Sequence, residues 1–335
     1  MSFFRKNLIM LFLILLVYAW FFLLSSQTQN KKPLQVLGAN SNVALFTQPE
    51  AGSKPITDAI NSAQKEVLVE VYLLSDKDII QSLEDAKKRG VAVDVMLEEH
   101  PFGGGTINNK TEAALTENGV NFKWTNSAYT LTHEKAIVID NRETFILNQN
   151  LTASSFSKNR EYDILDTNPE DVAQVRDVFI SDWDRKSYTV NSNSHIIESP
   201  ETSRRALTTL IQGANKSIDI EIEDIDDDSI VSLLSEKAKT IPVRLIVPSF
   251  TQIRSNQKAV TALSKAGASV KILTSPYIHA KLIIADGANA YVGSVNLSSQ
   301  SMDKNRELGI ILSQPDIINS MAQDFEQDFQ KGKAL

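Results

Sequence analysis

The sequence predicts an α/β protein built of two similar α/β/α halves, with mixed, largely parallel sheets flanked by helices, preceded by an N-terminal transmembrane helix. Three observations carry this expectation. His133, Lys135, Asp140, Asn150 and Glu161 are each followed 146 positions later by the same residue type, at His279, Lys281, Asp286, Asn296 and Glu307. A common offset over five polar residues marks an internal repeat of domain size, not a solenoid. Around these residues, apolar runs of strand length alternate with amphipathic stretches of helical period, the pattern of βαβ units. Finally, no charged residue interrupts the run from Leu8 to Leu24.

That run is at the short limit of a membrane span and longer than most signal-peptide cores. Arg5 and Lys6 precede it, and Tyr18 and Trp20 lie towards its far end. Residues 1–30 are therefore expected to be an uncleaved membrane anchor, with the basic residues in the cytoplasm and the catalytic body outside it. Ser25 to Gln29 offers no Ala-x-Ala site; cleavage near Ser26 would instead release a secreted protein. The polar stretch from Gln27 to Asn42, with Pro33 and Gly38, reads as a linker. The remaining chain is long enough for about two domains, and 42% hydrophobic residues suffice for a large core. Without cysteine there is no disulfide, thiolate zinc site or acylated-cysteine anchor. A net charge of −7 argues against a protein whose whole surface grips nucleic acid.

The first half is expected over residues 43–188. A helix starts at Ser53-Lys54-Pro55 and runs to Ala63, with proline tolerated in its first turn. Val67 to Leu73 is a strand, Lys77 to Lys88 an amphipathic helix ending before Gly90, and Val91 to Leu97 the next strand, so the local sheet is parallel. The loop His100 to Gly105 follows a strand end, where open α/β sheets place ligands, but lacks the Lys-Ser/Thr of a phosphate loop and reads as a glycine-rich turn. A helix at Lys110 to Glu117, a strand at Val120 to Trp124, the first motif and a closing helix at Glu170 to Asp184 complete the half. Tyr188 to Ser194, polar and aperiodic, separates it from the second half, residues 195–332. There the plan repeats: helices at Ser203 to Ala214, Ser229 to Lys239 and Ala259 to Ala266, and strands at Ser217 to Ile222, Val243 to Val247 and Val270 to Leu273. Phe179, Asp182 and Trp183 of the first closing helix have counterparts in Phe325, Asp328 and Phe329.

Within the second motif, His279 and Lys281 are two apart, so an extended backbone points both to one face and Ala280, Leu282 and Ile284 to the other. Leu282 to Ala285 is a strand, Asp286-Gly287 a turn, and Ala290 to Val292 a return strand that brings Gly293-Ser294 and Asn296 back beside the histidine. The spacing His-x-Lys, four residues, Asp, six residues, Gly-Ser-x-Asn resembles the signature of the phospholipase D superfamily. The second copy fits every position, whereas the first has Leu147-Asn148 in place of Gly-Ser. The resemblance spans nearly all of the chain after residue 40. It implies that both motifs form one active site at the interface of halves related by a pseudo-twofold.

A phosphodiester carries a negative charge and a poor leaving group, so cleaving it without a metal needs a nucleophile, a proton donor and fixed positive charge. His133, Lys135 and Asn150 with His279, Lys281 and Asn296 supply that set. One imidazole must be neutral and the other protonated at the same pH, so the halves should differ. The resemblance further implies that Glu161 and Glu307 hydrogen-bond the imidazoles, that His133 is the nucleophile, and that His279 is the acid. Asp140 and Asp286 are expected to hold the hairpin and the contact between halves, and Ser294 to play a supporting role. Neither a cofactor nor a metal is expected, since the four histidines lack carboxylates at ligand spacing. Asp224 to Asp228, with Glu221 and Glu223, lacks the glycine and terminal glutamate of a calcium loop and reads as a solvated strand face before an acidic helix start. His100 and His195 are assigned no chemistry.

The function these features imply is a membrane-anchored, extracytoplasmic phospholipase D-type hydrolase that cleaves phospholipids through a phosphohistidine. Position beside a bilayer and acidic charge favour lipid. The alternatives are a nuclease acting on single-stranded or duplex DNA, a cardiolipin-synthase-like phosphatidyltransferase, and an inactive phosphate-binding module.

Overall fold

A computed structural model of the chain describes residues 42–102 and 105–335. The expected anchor at residues 1–30 lies outside the described residues, as do Gly103 and Gly104. Among the described residues, no helix is long and apolar enough to cross a membrane.

In the first half, β1 (Val43–Gln48), α1 (Lys54–Ser62), β2 (Glu66–Val71), α2 (Lys77–Lys88), β3 (Ala92–Leu97), α3 (Ile107–Glu117) and β4 (Asn121–Trp124) lead to the motif hairpin, β5 (Lys135–Ile139) and β6 (Glu143–Leu147). α4 (Ala153–Lys158), β7 (Asn159–Asp166) and α5 (Pro169–Asp184) close it. The second half follows the same plan: β8 (Ile196–Ser199), α6 (Ser203–Gly213), β9 (Ile218–Ile222), α7 (Asp228–Lys237), β10 (Val243–Val247), α8 (Asn256–Lys265) and β11 (Ser269–Ile272). After the short β12 (Tyr277–Ile278) come the hairpin β13 (Lys281–Ala285) and β14 (Asn289–Gly293), then α9 (Ser299–Asp303), β15 (Glu307–Leu312), α10 (Pro315–Lys331) and β16 (Lys333–Ala334).

The strand orders are β1-β7-β6-β5-β2-β3-β4 and β8-β15-β14-β13-β9-β10-β11-β16, so the halves match strand for strand up to the added β16. Along these orders only β2-β3-β4 and β9-β10-β11 pair in parallel and the other neighbours are antiparallel, while the short β12 adds a parallel pairing to β7 off the first path. The expectation of largely parallel sheets is thus corrected to mixed sheets with an antiparallel majority. Each motif folds back as a tight hairpin, and the hairpin recruits β7 or β15, then β1 or β8, in antiparallel register. β7 escapes periodicity analysis because Asn159-Arg160-Glu161-Tyr162-Asp163 is polar, yet buried apart from the half-covered Asn159.

Local chemistry fixes several boundaries. Asp76 accepts from the backbone N–H groups of Asp78 and Ile79 at the start of α2, and Asp227 does the same for Ser229 and Ile230 at the start of α7. α5 and α10 lie between the two sheets, where Val172, Val175, Phe179, Ile317, Met321 and Phe325 form one core with the inner strand faces of both halves. The other faces carry separate cores under α1–α3 and α6–α8.

The seam between the halves carries buried charge. Arg306, fully buried, donates to Asp182 of α5 at 2.7 Å, to its own half's Ser199 carbonyl at 3.0 Å and to Glu201 at 2.9 Å. Arg160 repeats this in the opposite sense, bonding Asp328 of α10 at 2.5 Å, the Gln48 carbonyl at 2.6 Å and Glu50 at 2.8 Å. Each arginine thus ties the first strand of its own half to the closing helix of the other. The expectation of a solvated face around Glu221 is corrected here, because the seam covers that face. Glu221 is fully buried and accepts from the Tyr162 hydroxyl at 2.8 Å. Burial, then the nearby Asp328 carboxylate, push its carboxyl up to about 8. The acidic helix start does occur, with Asp227 as cap and Asp228 in the first turn of α7.

Two outcomes follow for stability. Arg306→Met strands the buried Asp182 and should cost about 3–5 kcal/mol in urea unfolding, most of it regained on adding Asp182→Leu. A carboxyl whose folded pKa is raised binds a proton on folding, so Glu221 costs little stability below its unfolded value near ~4.3 and increasingly more as pH rises towards 8. Glu221→Gln should therefore raise the thermal midpoint by roughly 3 °C or more at pH 8.5 and by less than about 1 °C at pH 5, as calorimetry can check.

Candidate active site

Each histidine is presented by a backbone pinned to the opposite half. The N–H groups of His133 and Glu134 donate to the Arg306 carbonyl at 2.8 and 3.0 Å, and His279 N–H donates to that of Arg160 at 3.3 Å. β12 extends this contact as a two-residue parallel pairing with β7. The side chains cross as well. His133 Nδ1 lies 2.9 Å from Glu307 Oε2, and His279 Nδ1 lies 2.8 Å from Glu161 Oε2.

The recurrent Asn-Arg-Glu triplet follows from the two-residue period of a strand. Asn159 and Asn305 share a face with Glu161 and Glu307 and donate to them at 2.9 and 3.2 Å, while the arginines turn the other way into the seam. Ser301 also donates to Glu307, at 2.5 Å. Burial works against the Glu307 charge, but His133 beside it and the hydrogen bond between them hold its carboxyl below the usual range. An ionised carboxylate only accepts, so the Nδ1 of His133 carries the proton and its Nε2 keeps a lone pair. Burial, with Lys135 close by, pulls the His133 imidazole down to about 4 in spite of Glu307.

Lys135 and Lys281 are buried. Lys135 donates to the His133 carbonyl at 2.5 Å, and burial followed by repulsion from Lys281 brings its ammonium down to about 7. Lys281 bonds the His279 carbonyl at 2.8 Å and also Glu223 Oε2 at 2.8 Å. Glu223, expected on a solvated face, instead lies 3.4 Å from His279 Nε2. Burial would raise its carboxyl, but His279 and Lys281 beside it hold it far below the ordinary value. Tyr277 donates to its other oxygen at 3.0 Å. The place of Glu223 in the first half is taken by Tyr72, since Lys135 pairs with Val71 as Lys281 pairs with Ile222. The Tyr72 ring meets His133 edge-on, with centroids 4.9 Å apart.

The remaining expected residues fall into two groups. Asn150 and Asn296 stand just beyond β6 and β14, whose antiparallel register returns them to the histidine end of β5 and β13. Asn296 Oδ1 accepts from Asp224 N–H at 3.2 Å, whereas Asn150 Oδ1 has no partner among the described residues. Ser294 Oγ accepts from Leu308 N–H at 3.0 Å and joins β14 to β15. Asp140 and Asp286 lie at the opposite end of the hairpins, at φ 54° and 57°. Asp140 Oδ1 collects the N–H groups of Gln64, Lys65 and Glu66, and Asp286 Oδ1 those of Asn215, Lys216 and Ser217. They hold the hairpin turn to the entry of β2 or β9; the expectation that they also hold the contact between halves is corrected, because the hydrogen-bond partners of each carboxylate belong to its own half.

The irregular Leu147-Asn148 has a packing cause. In the second half Gly293 faces Gly309 across β14–β15, and a Cβ at Gly293 would run into the Gly309 Cα. In the first half the same pair is Leu147 and Asp163. Asn148, fully buried, donates to the Gly293 carbonyl and accepts from Tyr162 N–H at 3.0 Å and Lys281 N–H at 3.3 Å. It is a bridge across the seam. Among the described residues, one cluster has metal-like spacing: the buried Glu70, Glu134 and Asp182, with oxygens within 4.8 Å of one another. It faces α5, on the other side of β5 from Lys135, beside Arg306. Burial pushes the Glu70 and Glu134 carboxyls well up, towards their neutral forms. Of the two unassigned histidines, His195 pairs through Nδ1 with Asp171 at 2.9 Å, and exposed His100 lies 3.9 Å from Glu99.

Glu223, Tyr72 and Tyr277 are the site residues that sequence reasoning missed. The connection from β2 to the first motif is five residues longer than that from β9 to the second, so Tyr72 and Glu223 lie 151 apart and the search at 146 passes over them. Nitrogen-15 spectra of the imidazoles should show His133 as the neutral Nδ1–H tautomer from pH 8 down to about 5.

Comparison with known proteins matches residues 56–183 and 207–329 to the family described as cardiolipin synthase, PLD-like domain. The chain is 24% identical to cardiolipin synthase 1 of Bacillus anthracis over 335 aligned residues, covering 85% of this chain and 66% of that protein. It is 22% identical to the cardiolipin synthase of Clostridium perfringens, covering 87% of this chain and 71% of the relative. The chain thus spans a little under two thirds of the Bacillus relatives it matches. Among solved structures, phosphatidylserine synthase of Haemophilus influenzae superposes with a TM-score of 0.68 at 12% identity, over 88% of this chain and 87% of that one. Polyphosphate kinase of Porphyromonas gingivalis gives the same score at 14% identity, over 85% of this chain and 46% of the other. At these identities the likeness is one of fold.

Proposed function

Because the chain belongs to the PLD-like domain family of cardiolipin synthases, within the phospholipase D superfamily, we propose that it transfers phosphatidyl groups from one phospholipid to the hydroxyl of another through a phosphohistidine. The observation that carries this reading is the pair of imidazoles, each held at Nδ1 by a buried glutamate of the opposite half. Two imidazoles so oriented aim their Nε2 atoms, not their Nδ1 atoms, at a substrate. His133 Nε2 forms a bond to phosphorus while the bond to the departing alcohol breaks, and His279 gives that oxygen a proton. An incoming hydroxyl then returns a proton to His279 as its oxygen displaces His133. Lys135, Lys281, Asn150 and Asn296 face the phosphoryl oxygens, and the substrate's negative charge favours the ammonium form of Lys135.

The sequence alone placed hydrolysis ahead of transfer. The names of the relatives support the reverse order, with a lipid alcohol in place of water. Phosphatidylglycerol is a suitable test lipid, as it carries both a phosphodiester and free hydroxyls, and an anchor at residues 1–30 would hold the site beside it. The reaction needs no metal in this scheme.

Full-length protein in phosphatidylglycerol micelles with chelator should form cardiolipin and glycerol. Phosphatidic acid as the main product would replace transfer by hydrolysis; cleavage of single-stranded DNA in place of lipid would point to a nuclease; no turnover would leave a binding module. His133→Ala should lower the rate by roughly 1,000-fold or more.

A further inference from the structure

We propose that Tyr72 and Glu223, equivalent positions that differ between the halves, divide labour between the two imidazoles, so that His133 attacks and His279 supplies the proton. This rests on the phosphohistidine reading above. The charges facing the two rings differ in kind. His279 has a carboxylate at each nitrogen, Glu161 at 2.8 Å from Nδ1 and Glu223 at 3.4 Å from Nε2, with the Lys281 ammonium 3.3 Å from Nδ1. Protons on both nitrogens therefore find acceptors, and two carboxylates set against the one ammonium make this the environment of an imidazolium. His133 has one carboxylate, Glu307 at 2.9 Å, while Tyr72 covers the ring edge-on and Lys135 and Lys281 add positive charge nearby. A second positive charge on that ring is opposed, and its Nε2 lone pair is left available for attack.

The difference is built in pairs of residues. Glu223 is held by Lys281 at 2.8 Å and by the Tyr277 hydroxyl at 3.0 Å, so its carboxylate is fixed beside the ring. The counterpart of Tyr277 at the common offset is Leu131, which has no hydroxyl to offer. Tyr72 instead accepts from the Phe102 N–H at 2.5 Å, and its hydroxyl is engaged away from the imidazole. Neither residue exchanges a bond or a proton with the substrate. Both act through a histidine and are positioning residues.

The test uses bis(4-nitrophenyl) phosphate, a phosphodiester that reports turnover whatever the natural lipid. A single turnover of the full-length chain, quenched in alkali, should leave the nitrophenylphosphoryl group on His133; in the exchange variant Tyr72→Glu with Glu223→Tyr it should move to His279. Glu223→Gln, which disturbs packing less, should slow cleavage of phosphatidylglycerol, whose leaving group is an alkyl alcohol, at least about 10-fold more than expulsion of 4-nitrophenolate from bis(4-nitrophenyl) phosphate, since only alkyl leaving groups need the acid. Its rate should also begin to fall at lower pH on the alkaline side, because losing a carboxylate makes the imidazolium easier to deprotonate. A label on His279 in the wild type, or equal losses for both leaving groups in Glu223→Gln, overturns the division of labour and leaves the phosphohistidine reading intact. No phosphoryl group on either histidine, with no turnover of either diester, overturns both.

Discussion

Everything at the site depends on an exchange of charged partners across one seam. Arg160 reaches from the first half to Asp328 of the second, and Arg306 returns to Asp182. On the opposite face of the same strands, Glu161 and Glu307 cross to His279 and His133. Taking these ions out of water is costly, and only the close, complementary geometry of the docked halves offsets it. The interaction that joins the halves and the one that aims the imidazoles therefore come from a single three-residue stretch of strand. Any slip of the seam would misplace both together.

Duplication within one chain has a further chemical use. Two copies related by strict symmetry would give their imidazoles the same surroundings, and one would have to break that symmetry with each substrate. Here the two copies have diverged around the imidazoles at Tyr72 and Glu223, and again at Leu131 and Tyr277. The shared scaffold aligns the rings, and the differences around them give the two imidazoles unequal surroundings before substrate arrives.

Much of this was legible in the sequence because the residues that cross the seam keep one spacing. His133, Lys135, Asn150 and Glu161 were recognised with their counterparts by that spacing alone, and helix α2 was expected at its observed bounds. What was missed has definite causes. A five-residue difference in connection length hid Tyr72 and Glu223 from a search at fixed offset. The strand that begins with Asn159-Arg160-Glu161 is polar over its first five residues because Arg160, Glu161 and Tyr162 meet groups from the other half, so no hydrophobic period marks it. Glu221 looked solvated because an acidic strand normally is, and nothing local says that a tyrosine and a second sheet will cover it. The βαβ segments suggested parallel sheets, but each hairpin adds antiparallel neighbours that outnumber the parallel pairs.

Asn148 bears on the equivalence of the two copies. Its carboxamide spans the seam to the Gly293 carbonyl and takes the Lys281 N–H, while the second copy keeps the small Gly-Ser pair at the matching position. A serine in place of Asn148, as the second copy has at Ser294, is shorter and offers one hydroxyl where the carboxamide supplies both a donor and an acceptor. The two copies are thus not equivalent at this point of the seam: the first supplies the side chain that crosses, and the second the backbone that receives it.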